Sequence, residues 1–245
     1  MNPFTDNLFS IVAECPQQSW STTKLARSLM TYTDLLSDRA VINCRWTSYR
    51  EGDDPSESPP LSEDILRAIL GRSKDRDQYY VFNLHGGLSD GSSWFLSGEF
   101  GTHHDAIRMF TAKPSCCKHV RIRIDQLSHV FDLCDEYWSP TSMVFRSDEL
   151  LDLIGSSERD PDFGWMTLLG EIPDDISVDG MLVRPSCHGH IVLEVPEALI
   201  GSTSKEAVTL LSSIAHRLAS RDAIPWSRPV RTMTLEEFRN MGNET

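Results

Sequence analysis

The stretch from Cys117 to Gly170 constrains the fold of this chain more than any other. Val120, Ile122 and Ile124 alternate with Arg121 and Arg123, the period-two pattern of a half-buried strand over His119 to Ile124. Asp125 stands at the N-cap position of a helix over 126–137. Leu127, Val130, Phe131, Cys134 and Trp138 recur there at three- and four-residue spacing, which gathers them into one apolar stripe. Ser139-Pro140 ends that helix, since proline breaks the hydrogen-bond ladder and restricts the residue before it. A strand (Ser142 to Arg146), a second helix (Asp148 to Ile154) and the run Gly164-Trp165-Met166-Thr167-Leu168-Leu169 follow. Such close mixing of the two periods excludes an all-helical or an all-strand fold.

The flanking regions extend the pattern. Residues 4–13 carry a faint strand or edge signal. Leu25, Leu29, Tyr32 and Leu36 mark an amphipathic helix capped by Ser21 or Thr22. A strand is expected over Ala40 to Arg50, then a loop over Gly52 to Pro60, then a short helix opened by Ser62 and ended by Gly71. Tyr79 to Leu84, Ser93 to Ser97, Ala106 to Thr111 and His119 to Ile124 read as short strands joined by glycine turns, an antiparallel meander. Met181 to Arg184 and His190 to Val195 form a last hairpin. A helix over Thr203 to Ser220 follows, and Thr234 to Glu237 has capping-box spacing for a short terminal one. The order helix, strand, acidic loop, short helix, strands occurs over 22–97 and faintly again over 126–195. The prediction is an α+β fold: a single domain over residues 1–245, with its core at about 22–220 and mostly antiparallel sheet flanked by helices.

Charge narrows the function. Residues 51–64 carry Glu51, Asp53, Asp54, Glu57, Glu63 and Asp64 with no Lys or Arg. Residues 148–179 carry Asp148, Glu149, Asp152, Glu158, Asp160, Asp162, Glu171, Asp174, Asp175 and Asp179 against Arg159 alone. These segments contribute −6 and −9, so the remainder of the −13 chain is +2. Direct nucleic-acid binding is disfavoured, because phosphate contacts need clustered Lys and Arg. A basic protein partner suits the charge, although acidic loops also serve solubility. No apolar run approaches the roughly 20 residues that span a bilayer. The start lacks a basic n-region with an apolar h-region, and the six cysteines include no CxxC, which together predict a cytoplasmic, reducing setting.

Candidate chemistry is sparse. Cys187-His188-Gly189-His190 has zinc-like donors but no second pair to close a tetrahedral set. Cys116-Cys117-Lys118-His119 and His103-His104-Asp105 are weaker, since adjacent side chains on an extended chain point apart. Leu84-His85-Gly86-Gly87 is similar to an esterase oxyanion loop, but no G-x-S-x-G elbow accompanies it. No phosphate-binding glycine motif is present, so neither a metal nor a cofactor is expected. An enzymatic alternative would be a small hydrolase or metal-binding enzyme built on His85, His103 and Cys187. A non-catalytic secretion-system adaptor fits the same composition. Trp46, Trp94, Trp138, Trp165 and Trp226 are core by default, and any exposed beside an acidic loop would be an interface anchor.

The order of landmarks carries a resemblance. The Leu25 to Leu36 helix comes first, then Gly86-Gly87 with Ser93-Trp94, then Val120-Arg121-Ile122. Asp135-Glu136-Tyr137-Trp138-Ser139-Pro140 and Phe163-Gly164-Trp165-Met166-Thr167-Leu168-Leu169 complete the set. Over roughly residues 22–220 this resembles the immunity protein 52 family, bacterial antidotes encoded beside polymorphic or type VI secreted toxins. An aromatic-Pro helix end and a Gly-Trp strand opening recur in that family. The resemblance implies no enzymatic activity and a stoichiometric complex with one toxin, a nuclease of restriction-endonuclease-like fold. Charge then selects the partner-binding candidates: Asp53, Asp54, Glu57, Asp160, Asp162, Asp174, Asp175 and Asp179.

Overall fold

The strand with the faintest sequence signal lies at the centre of the sheet. In the computed structural model, which describes residues 9–39, 44–48, 58–77, 79–87, 93–101, 105–112, 124–147, 150, 154, 163–200 and 204–224, Phe9–Cys15 forms β1. The chain continues through α1 (Thr22–Arg39), β2 (Arg45–Ser48), α2 (Glu63–Asp77), β3 (Tyr80–Gly87), β4 (Ser93–Phe100) and β5 (Asp105–Ala112). Then come α3 (Ile124–Trp138), β6 (Ser142–Ser147), β7 (Met166–Leu169), β8 (Leu182–Pro185), β9 (Ile191–Glu194) and α4 (Lys205–Ala219). The described strands make one nine-stranded sheet of order β2-β3-β4-β5-β1-β6-β7-β9-β8, and every pairing is antiparallel. The α+β expectation holds, including the β3-β4-β5 meander.

Helices α1, α2 and α3 close one face. The α1 stripe Leu25, Leu29, Tyr32 and Leu36 is fully buried, each side chain contributing roughly 2 kcal/mol by leaving water. Ser21 caps α1, its Oγ accepting from the Lys24 amide at 3.2 Å. The Tyr32 hydroxyl reaches Met109 Sδ on β5 at 3.2 Å, and Ser73 Oγ on α2 accepts from the Val81 amide on β3 at 3.0 Å. Ser128 Oγ on α3 lies 3.9 Å from Met166 Sδ on β7. Trp46, Trp94, Trp138 and Trp165 are all buried, as expected; Trp226 lies outside the described residues. On β6 and β7 both faces are buried, so Met143-Val144-Phe145 and Met166 to Leu169 show no in-out alternation. Leu211, Ile214, Ala215 and Leu218 of α4 belong to the same core; Ser204 caps this helix, its Oγ accepting from the Ala207 amide at 3.3 Å.

Several boundaries differ from the sequence expectation. Helix α2 does not stop at Gly71 but runs to Asp77. Leu66 and Leu70 bury the face before the glycine, and past it the buried Ser73 donates to Leu70 O and accepts from the Val81 amide, each at 3.0 Å, which offsets a glycine cost of about 1 kcal/mol. Ile124, expected to end a strand, is already helical, so Asp125 lies inside α3 rather than capping it. Its spacing to Leu127 and Phe131 is three and seven residues, which suits the helical stripe as well as the strand alternation. Residues 119–123 lie outside the described residues, as does most of the expected 148–154 helix; Leu150 and Ile154 of it are helical and buried. The expected terminal helix at 234–237 also lies outside them. The faint internal echo does not extend to sheet position, since β2 is an outer strand whereas β6 lies beside β1.

Gly164 explains the Gly-Trp landmark. A Cβ there would meet the Phe145 carbonyl oxygen at 2.1 Å, backbone that cannot yield. This close approach seats the fully buried Trp165 ring 5.4 Å from Phe145 and 5.9 Å from Phe9. Gly164→Ala should therefore lower stability by about 3 kcal/mol in chemical denaturation, as overpacking against fixed backbone does. Gly71→Ala should raise it by about 1 kcal/mol, because a Cβ there meets nothing within 4 Å.

Candidate functional site

Between β7 and β8 the chain alternates acids with apolar residues. Ile172, Ile176 and Val178 pack partly buried against the core, while Glu171, Asp174, Asp175 and Asp179 are exposed. Local bonds set this arrangement: the Ile176 amide donates to Pro173 O at 2.9 Å, and the Met181 amide to Val178 O at 3.0 Å. The Asp179 amide donates to Ser177 Oγ at 3.2 Å. Gly180 adopts φ +89°, and a Cβ there would press on Leu210 of α4 at 3.1 Å. Asp175 pairs with Arg221, just past α4. Both side chains are more than half exposed, so the pair contributes well under about 1 kcal/mol. Of the eight acids selected by charge, Asp174, Asp175 and Asp179 thus share one exposed loop. Asp53, Asp54, Glu57, Asp160 and Asp162 lie outside the described residues.

This loop leads directly into an edge strand whose character the sequence did not reveal. Leu182 and Val183 on β8 are 53% and 54% exposed, the large apolar side chains left to solvent among the described residues. The two sheet edges differ. Along β2, the Leu61 amide donates to Trp46 O at 2.8 Å and Pro60 bridges Thr47, so residues 58–61 cover that edge. Beyond β8 the described residues pair nothing. Alternation fixes which groups face outward. Val195 N donates to Trp165 O, so odd-numbered residues of β9 face β7 and even-numbered ones face β8. Since Arg184 pairs with Val192 and Leu182 with Glu194, the backbone of Val183 faces away from β9. A hairpin strand and an edge strand look alike in sequence, because only the topology says which one lacks a neighbour.

The enzymatic candidates do not converge. His85 lies on β3, its Nε2 2.9 Å from Ser93 Oγ, and burial pushes its pKa down. Cys187 lies in the β8–β9 turn. β3 and β9 are six strand positions apart, roughly 29 Å at the usual spacing; His103 lies outside the described residues. Leu84-His85-Gly86-Gly87 is strand, not an oxyanion loop. Gly86 is there because a Cβ would strike Cys44 Sγ at 2.6 Å and the Trp46 ring at 3.2 Å. Among the described residues no three His, Cys, Asp or Glu side chains are placed to hold a metal together. An open groove of about 420 Å³ beside α1 is lined by Lys24, Arg27 and Tyr137 with Ser and Thr, and gathers no carboxylate, imidazole or thiol.

Two buried carboxylates, Asp105 (weighed above only as weak candidate chemistry) and Asp135, have structural roles. Asp105 accepts from Trp20 Nε1 at 2.7 Å, the Gly101 amide at 2.7 Å and the Gln18 amide at 3.2 Å. Asp135 on α3 accepts from the Cys187 amide at 3.3 Å and from Cys187 Sγ at 3.1 Å, while His188 Nε2 lies 2.9 Å from Ser139 Oγ. The hairpin tip is thereby docked on the end of α3. Local desolvation and the bond to Asp135 push the exposed Cys187 thiol up to about 11. A raised pKa means less thiolate at neutral pH, the reverse of nucleophile activation. Iodoacetamide should therefore label Cys187 roughly 100-fold more slowly at neutral pH than a free peptide thiol, with the rate still climbing towards pH 11. Asp135→Asn should speed the labelling, as read by mass spectrometry.

No family model matches the chain, and no curated protein matches it. Among solved structures it is similar to the Pseudomonas aeruginosa T6SS protein PA0821, at 13% sequence identity and a TM-score of 0.50, over 86% of this chain and 73% of that one. At such identity the likeness establishes a shared fold alone. No helix among the described residues is long and apolar enough to cross a membrane.

Proposed function

We propose that this chain is a non-catalytic immunity protein that binds a cognate secreted toxin and covers its basic, nucleic-acid-binding face. The observation that carries the reading is the 170–181 loop, which turns Asp174 and Asp179 to solvent beside two exposed apolar residues. Carboxylates presented in this way substitute for the phosphates a nuclease cleft is built to receive. The landmark resemblance to immunity protein 52 points to the same class, and the fold is shared with a protein named for the T6SS. The toxin this implies is a DNase of restriction-endonuclease-like fold. Inhibition is steric and electrostatic and needs no cofactor: acidic loop and basic cleft attract at long range, and the docked chain then excludes DNA.

Co-expression with the C-terminal domain of the adjacently encoded protein tests the reading by pull-down and DNA degradation. A stable complex with lost nuclease activity supports it; a harmless neighbour that does not bind overturns it. Within such a complex, Asp174→Lys with Asp179→Lys should slow association about tenfold at low salt, with the difference shrinking as salt screens the charges. Asp175 is the poorer choice because Arg221 already engages it. An on-rate unmoved by this charge reversal would take the loop out of the interface.

A further inference from the structure

We infer, building on that reading, that the edge of β8, which no described residue pairs, receives an extended, cationic segment of the toxin as an added strand. The edge is equipped for one short rung. Val183 turns both its N–H and its C=O outward, whereas Pro185, the next residue with outward-facing backbone, offers a carbonyl and no N–H. Proline at that place blocks a long indiscriminate ladder while leaving the Val183 position available. Leu182 and Val183, each more than half exposed, supply apolar contact on the two faces of the incoming strand.

Charge decides between occupants. Glu171, Asp174 and Asp179 stand on the loop that leads into β8, and the cation of the strand itself is already engaged. Arg184 holds Asp132 at 2.6 Å and Glu194 at 3.3 Å. An incoming Lys or Arg therefore meets carboxylates with little local competition. A second copy of this chain fits poorly, since pairing two β8 edges would bring two acidic loops together on chains of net charge −13. The edge thus supplies backbone pairing, and the loop selects a basic strand to fill it.

The test uses the full chain and the C-terminal domain of the adjacently encoded protein, followed by biolayer interferometry, with Val183→Pro removing the outward N–H. The expected result is at least about tenfold weaker binding, mainly through faster dissociation, with an unchanged circular dichroism spectrum and melting point. Hydrogen exchange on the unaltered pair provides a readout that needs no variant, and the Val183 amide should become protected in the complex. Equal affinity for Val183→Pro together with an unprotected Val183 amide would overturn the edge assignment and leave the proposed function standing. A wild-type chain that does not bind the domain would overturn both. A wild-type dimer that Val183→Pro dissolves, with nuclease binding intact, would give the edge to a second copy and overturn the inference.

Discussion

The structure depends on β1 holding its register. Phe9, Ile11, Ala13 and Cys15 face inward and are buried, and β1 is hydrogen-bonded to β5 on one side and β6 on the other. A slip of one residue would turn that row out and bring Ser10, Val12 and Glu14 in, disrupting both ladders together. The inward row leaves no slack: Phe9 packs within 6.0 Å of Phe145 and 5.9 Å of Trp165 by ring centroids. Beyond Cys15, Asp105 fixes the strand's exit. Its carboxyl group takes three donors from the segment before α1 and the turn between β4 and β5, so the first helix and the meander are tied to one buried side chain.

The second half of the sheet hangs on the end of α3. Trp138 closes the helix, and Ser139 adopts φ 47°, a left-handed conformation that a serine enters at a cost of roughly 1 kcal/mol. That turn places Ser139 Oγ against His188 while Asp135 holds the Cys187 backbone and thiol. The hairpin tip is fixed to a helix terminus at one end, and Arg184 joins β8 to α3 through Asp132 nearby. In the proposed complex, an edge held this firmly, and paired by no described residue, takes up a strand without first being ordered, which reduces the entropy lost on binding.

The sequence made the fold class and most elements legible because packing there agrees with local pattern. The α1 stripe and the β3-β4-β5 meander bury the residues their period assigned, and the last hairpin forms where its two runs place it, although its outer strand leaves Leu182 and Val183 exposed. It failed where tertiary context overrode a local sign. Gly71 looks like a terminator, yet the buried Ser73, bonded to Leu70 O and the Val81 amide, anchors the helix beyond it. β1 looked like an edge because Ala13 and Ser10 are small and Glu14 is charged, leaving Phe9 and Ile11 to mark a strand buried between two neighbours. Asp105 stood beside two histidines and drew attention as chemistry, although its role is to receive three donors. At the candidate site, charge identified the acids of the 170–181 loop. The adjacent open edge was not readable, because pairing belongs to the whole sheet and not to Leu182-Val183-Arg184-Pro185 alone.

Under the proposed function, loop and edge divide recognition by distance. Carboxylates act over about a Debye length, roughly 8 Å at physiological salt, so they orient a basic partner before contact. Backbone rungs act only at about 3 Å and distinguish little between sequences, so they hold a partner rather than choose it. Neither suffices by itself. A free acidic loop attracts any cation, and an open apolar edge pairs with any strand, including one from a misfolded neighbour. Placed in succession along the chain, each limits the other: the loop repels strands of like charge from the edge, and the edge rejects cations that do not come as an extended backbone. Specificity then resides in the joint requirement, and a change to either element alters which partner is accepted as well as how tightly it is held.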